Sequence, residues 1–171
     1  MPRELKALMA IADEAQRSLR AYTSAKTALE KLSMQSSSQR MAGTVGKATA
    51  AVFTCFVGDP TLFPSAASYV KSFGLNLKEK SSGKHVGRLK ITKRGSNRAW
   101  QYIWLAACRW IQQDLFARTW YQKKVRRDGG GKSKALVAVM RKLAQALFHI
   151  GRGDQYDPRK LFNLENLGLQ T

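Results

Sequence analysis

Between Ala99 and about Arg126, Trp100, Ile103, Trp104, Ala107, Ile111 and Leu115 recur at three- and four-residue steps, with Trp110 beside them. A stripe that broad demands a helix buried at the centre of a core, and everything else must fold around it. The tryptophans read as core residues rather than base-stacking platforms, because they share the stripe with aliphatic residues.

Three more segments carry helical periodicity. From 3 to 32, Leu5, Leu8, Ala12, Ala15, Leu19, Tyr22 and Leu29 alternate three- and four-residue steps, with Lys26 at the one seam position that breaks the pattern. That is a heptad seam sustained for nearly four repeats, which predicts a long coiled-coil or hairpin helix that needs a partner. The polar stretch 33–39 reads as a linker. Gly58-Asp59-Pro60 is a turn, with Asp59 as N-cap and Pro60 at the first helical position. A helix over 60–73 follows, interrupted or restarted at Pro64, with Leu62, Ala66, Tyr69, Val70 and Phe73 inward and Gly74 as its stop. The last helix, 133–150, buries Leu136, Val139, Met140, Leu143, Leu147 and Ile150, and Gly151 and Gly153 end it. The tail beyond is an irregular strap that docks through Leu161 and Phe162.

Gly43 and Gly46, followed by small residues and an apolar run to Val57, resemble the hairpin of helix-hairpin-helix modules. There a glycine turn presents backbone N–H groups to a phosphate. Thr44 stands where that pattern has its first close-approach glycine, and a purely structural glycine turn fits the same residues.

Between the second and third of these helices lies KEKSSGKHVGRLKITKRGSNR, Lys78 to Arg98, with eight Lys or Arg and one acid, Glu79. Gly83, Gly87 and Gly95 punctuate it. Arg88 to Thr92 alternates polar and apolar residues and predicts one short strand, and Ser96 or Asn97 caps the next helix. The whole chain of 171 residues has a formal net charge of +19 and a pI near 10.5. With 44% hydrophobic residues it can still build a core. A globular chain this basic favours a polyanion, nucleic acid first and an anionic membrane surface second. No apolar run approaches the roughly 18 residues that span a bilayer, and the start carries acids where a secretory signal would be apolar. Cys55 and Cys108 lie far apart in apolar contexts without metal-ligand spacing, so two buried free thiols in a reducing compartment are expected.

No histidine pair, catalytic triad or carboxylate cluster is present, so a divalent-metal nuclease site within these residues is not expected, and the metal-binding set is empty. His85 lies where it can take a proton from a hydroxyl, but a solvated loop residue is the favoured reading; His149 reads as structural. Ser81 and Ser82 are the candidate nucleophiles. A serine needs its proton removed or the developing charge stabilised, and Lys80, Lys84, Arg88, Lys93 and Arg94 lie within reach of a phosphate bound there. Lys90 and Arg98 extend the same patch. Lys123, Lys124, Arg126, Arg127 and Lys132 form a second one, more cationic than a helix C-terminus requires. The glycines at 129–131 lack P-loop spacing. On these grounds a plain Ser-Gly turn is favoured over a catalytic serine.

A series of motifs in fixed order adds to this. G-D-P-x-x-F at 58–63, F-G-L at 73–75, S-G at 82–83 and I-T-K-R-G at 91–95 are followed by A-L-V-A-V-M-R-K-L-A at 135–144 and K-L-F at 160–162. Over about residues 40 to 162 the chain resembles the C-terminal, serine-bearing domain of the insertion-sequence one-ten family of bridge-RNA-guided transposases. The resemblance implies a serine that forms a covalent phosphoserine link to DNA, at Ser82 with Ser81 as the alternative register. It implies a structured guide RNA, and an N-terminal ribonuclease-H-like domain whose acids hold Mg2+. Lys93 and Gly95 match the family pattern. Trp100 stands where an arginine is usual a few residues after that glycine, with Arg98 nearby. The acidic domain is not among these residues, which start with the coiled-coil segment, as from an internal methionine of a longer reading frame.

The expectation is a mainly α chain: a long coiled-coil helix and polar linker over 1–40, a helical transposase-type domain with a short β segment in a basic loop over 41–153, and a strap over 154–171. The expected role is the part of a DNA recombinase that binds DNA and guide RNA and supplies the serine nucleophile, inactive alone without the metal-binding domain. The rival is a truncated, non-catalytic nucleic-acid-binding relic or competitor. Expected partners are DNA, a structured guide RNA and a second copy or full-length transposase through the heptad helix, with no membrane, in a bacterial cytoplasm near the nucleoid.

Overall fold

The computed structural model describes residues 3–32, 36–78, 90–92, 94–165 and 168. The chain is mainly α. The helices are α1 (Arg3–Leu32), α2 (Ser36–Val45), α3 (Lys47–Phe56), α4 (Ala66–Ser72), α5 (Asn97–Gln113), α6 (Leu115–Arg127), α7 (Lys132–Arg152) and α8 (Pro158–Leu161), with a 3-10 turn at Pro60–Leu62. Two short strands, β1 (Leu77–Lys78) and β2 (Lys90–Ile91), pair antiparallel with Leu77 opposite Ile91. The expected strand is therefore real but half of a two-residue ladder.

The core forms where α7 crosses α2, α4, α5, α6 and the 3-10 turn. α7 supplies Val139, Met140, Leu143 and Leu147, all fully buried, and the heptad-free 3.6-residue spacing of these residues is what turns one face inward. Against it sits an aromatic cluster. Tyr69 meets Phe63, Phe73 and Phe148 at centroid distances of 5.1, 5.2 and 6.1 Å, and Phe73 meets Phe53 edge-on at 5.1 Å. Gly151 lets α7 approach the 3-10 turn, since a Cβ there would lie 2.6 Å from Pro60 Cγ.

Local signals set most helix ends. Asp59 accepts from the Thr61 amide at 2.8 Å and opens the 3-10 turn, with Pro60 following as expected. Burial works against ionisation at Asp59, but bonds from Thr61 and Ser37 and the charge of Arg40 together hold its carboxyl below the usual range. The restart after the 3-10 turn uses Ser65 rather than Pro64, through a reciprocal capping box with Ser68. Gly74 has φ +73 and stops α4, and Ser96 caps α5.

Four expectations need correction. The apolar helix from Ala99 is two helices, because Asp114 is extended (φ −102°, ψ 121°) and caps α6 through the Ala117 amide at 2.7 Å. Tyr156 donates to the same carboxylate at 3.0 Å, and Arg118 bonds the carbonyls of Ile111 and Gln112, closing the end of α5. The buried face of α5 is Ala99, Ile103, Ala106, Ala107 and Trp110, which leaves Trp104 exposed, and beyond the break Leu115 is exposed too. The polar stretch expected as a linker is helical from Ser36, because Ser37 and Ser38 pack inside. Leu62 lies outward at 79% exposure, since the 3-10 turn rotates it away from the face that α4 buries. Cys55 is exposed on the outer side of α3 and Cys108 is half-buried, so the thiols are free but not both interior; burial pushes the Cys108 thiol up.

The strap docks as expected. Phe162 is buried at tilted angles to Trp110 and Trp120, 5.8 and 6.1 Å away. Lys142 lies over the Trp120 and Phe162 rings and donates to the Leu161 carbonyl, and burial lowers its pKa. The tail also contains α8, opened by Asp157 and Pro158.

Candidate nucleic-acid interface

The segment that carries the expected nucleophile lies in sequence between β1 and β2, and the residues on either side of it are fastened. Beyond the ladder, the Thr92 amide donates to the Asn76 carbonyl at 2.9 Å, and Thr92 Oγ1 reaches the Gly74 carbonyl at 3.4 Å. Gly95 is pressed on the end of α4: a Cβ there would lie 2.7 Å from the Ser72 carbonyl oxygen and 2.8 Å from Gly74 N and Phe73 C. Only a residue without a side chain fits that contact, which gives a physical reason for the glycine of the I-T-K-R-G motif.

Lys80, Ser81, Ser82, Lys84, His85, Arg88 and Lys93 lie outside the described residues. Lys90 starts β2 opposite Lys78. Arg94 and Arg98 are exposed, just before and just inside α5. Arg94 lines an open depression of about 500 Å³ at the foot of the ladder, together with Ser68, Lys71, Ser72, Asn76 and Thr92. Lys71, Asn76 and Thr92 were not foreseen from sequence. The signal available was weak: Lys71 sits in the last turn of a helix, where a cation needs no other explanation.

The second basic patch forms a hairpin. Gly129 and Gly130 take φ +66 and +86 and turn the chain from the end of α6 to the start of α7. This gathers Lys123, Lys124, Arg126 and Arg127 with Lys132 at one end of the two helices. Lys124 is committed to Asp128 at 2.5 Å, and this bond is the main cause holding the Asp128 carboxyl below its usual range. Arg126, Arg127 and Lys132 are exposed.

At the α2–α3 junction the turn glycine is Gly46, with φ +85, and α3 opens on it without a side-chain cap. Gly43 lies within α2. His149 is exposed near the end of α7, its Nδ1 3.1 Å from Asp154 Oδ2. No group of three or more His, Cys, Asp or Glu side chains suited to a metal occurs among the described residues. No helix among them is long and apolar enough to cross a membrane.

A mainly helical core, with the residues flanking the 79–89 segment tied to the end of α4 and a basic turn between α6 and α7, describes a cationic helical domain. Comparison with known proteins makes it particular. Residues 39–122 match the family model described as the transposase of the IS116/IS110/IS902 family. The chain is also 33% identical over 116 residues to the uncharacterized 43.6 kDa protein of insertion element IS110 from Streptomyces coelicolor. That alignment covers 67% of this chain and 28% of the length of the relative. The chain belongs to the IS116/IS110/IS902 transposase family, as the ordered motifs implied.

Proposed function

We propose that the chain is the serine-bearing part of a DNA transposase, which grips DNA and a structured guide RNA and supplies Ser82 as the nucleophile for strand cleavage and transfer. In this reading the Ser82 oxygen attacks a phosphodiester, an Oγ–P bond forms, one P–O bond to deoxyribose breaks, and the departing oxygen takes up a proton. Lysines and arginines about the segment offset the charge that builds on the phosphoryl oxygens. The observation that carries the reading is the fastening of both ends of the 79–89 segment, by the ladder on one side and Gly95 on the other. A fixed base gives a nucleophile the orientation that catalysis requires. Among the described residues no group of acids fits a Mg2+ site, and in this reading a separate acidic domain would hold the metal, with no step here running through it. The cellular setting is a bacterial cytoplasm, at the nucleoid.

The test is a covalent adduct. Labelled duplex DNA is incubated with this chain, guide RNA, Mg2+ and a family transposase that carries the acidic domain, then resolved under denaturing conditions. The parent is expected to trap a protein–DNA adduct, and Ser82→Ala to reduce it below detection. An equal adduct from both proteins rules out Ser82. Salt-dependent DNA binding with no adduct from either supports the alternative, a non-catalytic relic or competitor.

A second reading, assembly through α1, is favoured by one observation. Leu8, Leu19 and Tyr22 on the heptad seam are 63%, 64% and 68% exposed, and residues 8–27 of α1 are exposed throughout. Leaving that stripe in water costs roughly 25 cal/mol per Å² of apolar surface. A second copy, or a longer transposase of the family, would cover it. Sedimentation is expected to show a dimer or larger species, and Leu8→Lys with Leu19→Lys is expected to shift it to monomer with the helical core still folded. A parent that is monomeric at every concentration and binds no family transposase contradicts this.

A further inference from the structure

We infer that the depression between α4 and the foot of the β ladder is a binding cup for one backbone phosphate of DNA, held jointly by Lys71, Arg94 and Asn76. The inference rests on the nucleic-acid reading above and adds a specific contact to it.

Ser68, Lys71 and Ser72 stand at i, i+3 and i+4, so they share one face of α4 and form one wall. Asn76, Thr92 and Arg94 form the other. The Thr92–Asn76 bond holds the second wall together, and the Thr92–Gly74 bond and the close seat of Gly95 on the end of α4 fix it to the first. The cup is thus preorganised rather than assembled from loose surface side chains.

Its chemistry suits an anion. Among the described residues two cations line it and no acid does. The Ser68 and Ser72 hydroxyls already donate to the carbonyls of Ser65 and Tyr69, at 2.8 and 2.6 Å. The groups left to donate into the cup are the Lys71 ammonium, the Arg94 guanidinium and the Asn76 amide. A point charge, a planar fork and a neutral N–H donor together match the oxygens of a phosphodiester. The macrodipole of α4 explains Lys71 at a helix end but not Arg94, which lies on no helix. The position favours DNA over RNA, because the cup adjoins the root of the segment that carries Ser82.

Binding of the full chain to a labelled 40-base-pair DNA duplex, and to a matched RNA duplex, is titrated over a range of salt. Each phosphate contact contributes about 0.9 to the slope of log K against log salt. Lys71→Gln plus Arg94→Gln is expected to lower the DNA slope by about one. Each single change is expected to weaken binding by more than half of the combined effect, because both residues hold the same phosphate. Asn76→Ala is expected to lose about tenfold in DNA affinity with the slope unchanged, since a neutral donor releases no counterion. An unchanged slope in the double variant overturns the cup, as does an additive loss of two contacts. Losses confined to the RNA duplex overturn the assignment to DNA. A parent that binds neither duplex overturns the nucleic-acid reading itself. Thermal unfolding of each variant checks that the fold is intact.

Discussion

Phe73→Ala is expected to lower the free energy of unfolding by about 3–5 kcal/mol, the usual cost of emptying an aromatic site in a core. Phe73 is fully buried, and its ring sits edge-on to both Phe53 and Tyr69, at interplanar angles of 83° and 86°. Truncation removes two ring pairs as well as the buried area. The cavity has little chance to close, because Tyr69 is held by Phe63 and Phe148 on its other sides. In a domain of this size the loss corresponds to a drop of roughly 10–15 °C in Tm. Phe73→Leu, which keeps most of the volume, is expected to cost less than half as much. Denaturant and thermal unfolding of both variants measure this, and a loss under about 1 kcal/mol for alanine contradicts the packing described.

The position of Phe73 also ties the core to the candidate site. The residue is followed by Gly74, whose carbonyl receives Thr92 and whose amide nitrogen faces Gly95. The aromatic cluster therefore sets where α4 ends, and the end of α4 sets where the 79–89 segment begins and finishes. In the proposed reading, a fold that is rigid at this corner would supply one half of what a nucleophile needs, a fixed base, and the cationic residues of the sequence about it would supply the other, a field that favours phosphate.

Much of this was legible in the sequence because it is local. Asp59 with Pro60, Gly74 at positive φ and Ser96 before α5 are chemical stop and start signals that act within one turn. The heptad of α1 and the inward stripe of α7 are periodic and needed no partner to be seen. What escaped depends on contacts distant in sequence. The apolar period runs straight through Asp114, and the break there is stabilised by Tyr156, 42 residues later. Ser37 and Ser38 read as linker by composition, yet packing inside the body makes them helical. Lys71 and Arg94 line one depression because Thr92 bonds Gly74, 18 positions earlier in the sequence. The ordered motifs named the family, and no periodicity did so.

Gly95→Ala is the change expected to disturb fold and site together. The new methyl would have to sit under 3 Å from three backbone atoms at the end of α4, and backbone cannot rotate away as a side chain would. Relief requires the 92–96 segment to lift off α4. That costs about 2–3 kcal/mol by the usual measure of overpacking, or roughly 5–10 °C in Tm. The displacement carries Arg94 with it and stretches the Thr92 bonds to Asn76 and Gly74. Loss of stability alone would leave the native fraction at 20 °C close to complete, because folded domains hold several kcal/mol in reserve. DNA affinity at that temperature is therefore a separate readout. It is expected to fall at least tenfold in Gly95→Ala, with the salt slope reduced by about one as in the Lys71 and Arg94 double variant. A variant that is less stable yet binds DNA as the parent does would mean that Gly95 serves packing alone. A variant with unchanged Tm would mean that the contact with α4 does not exist in solution.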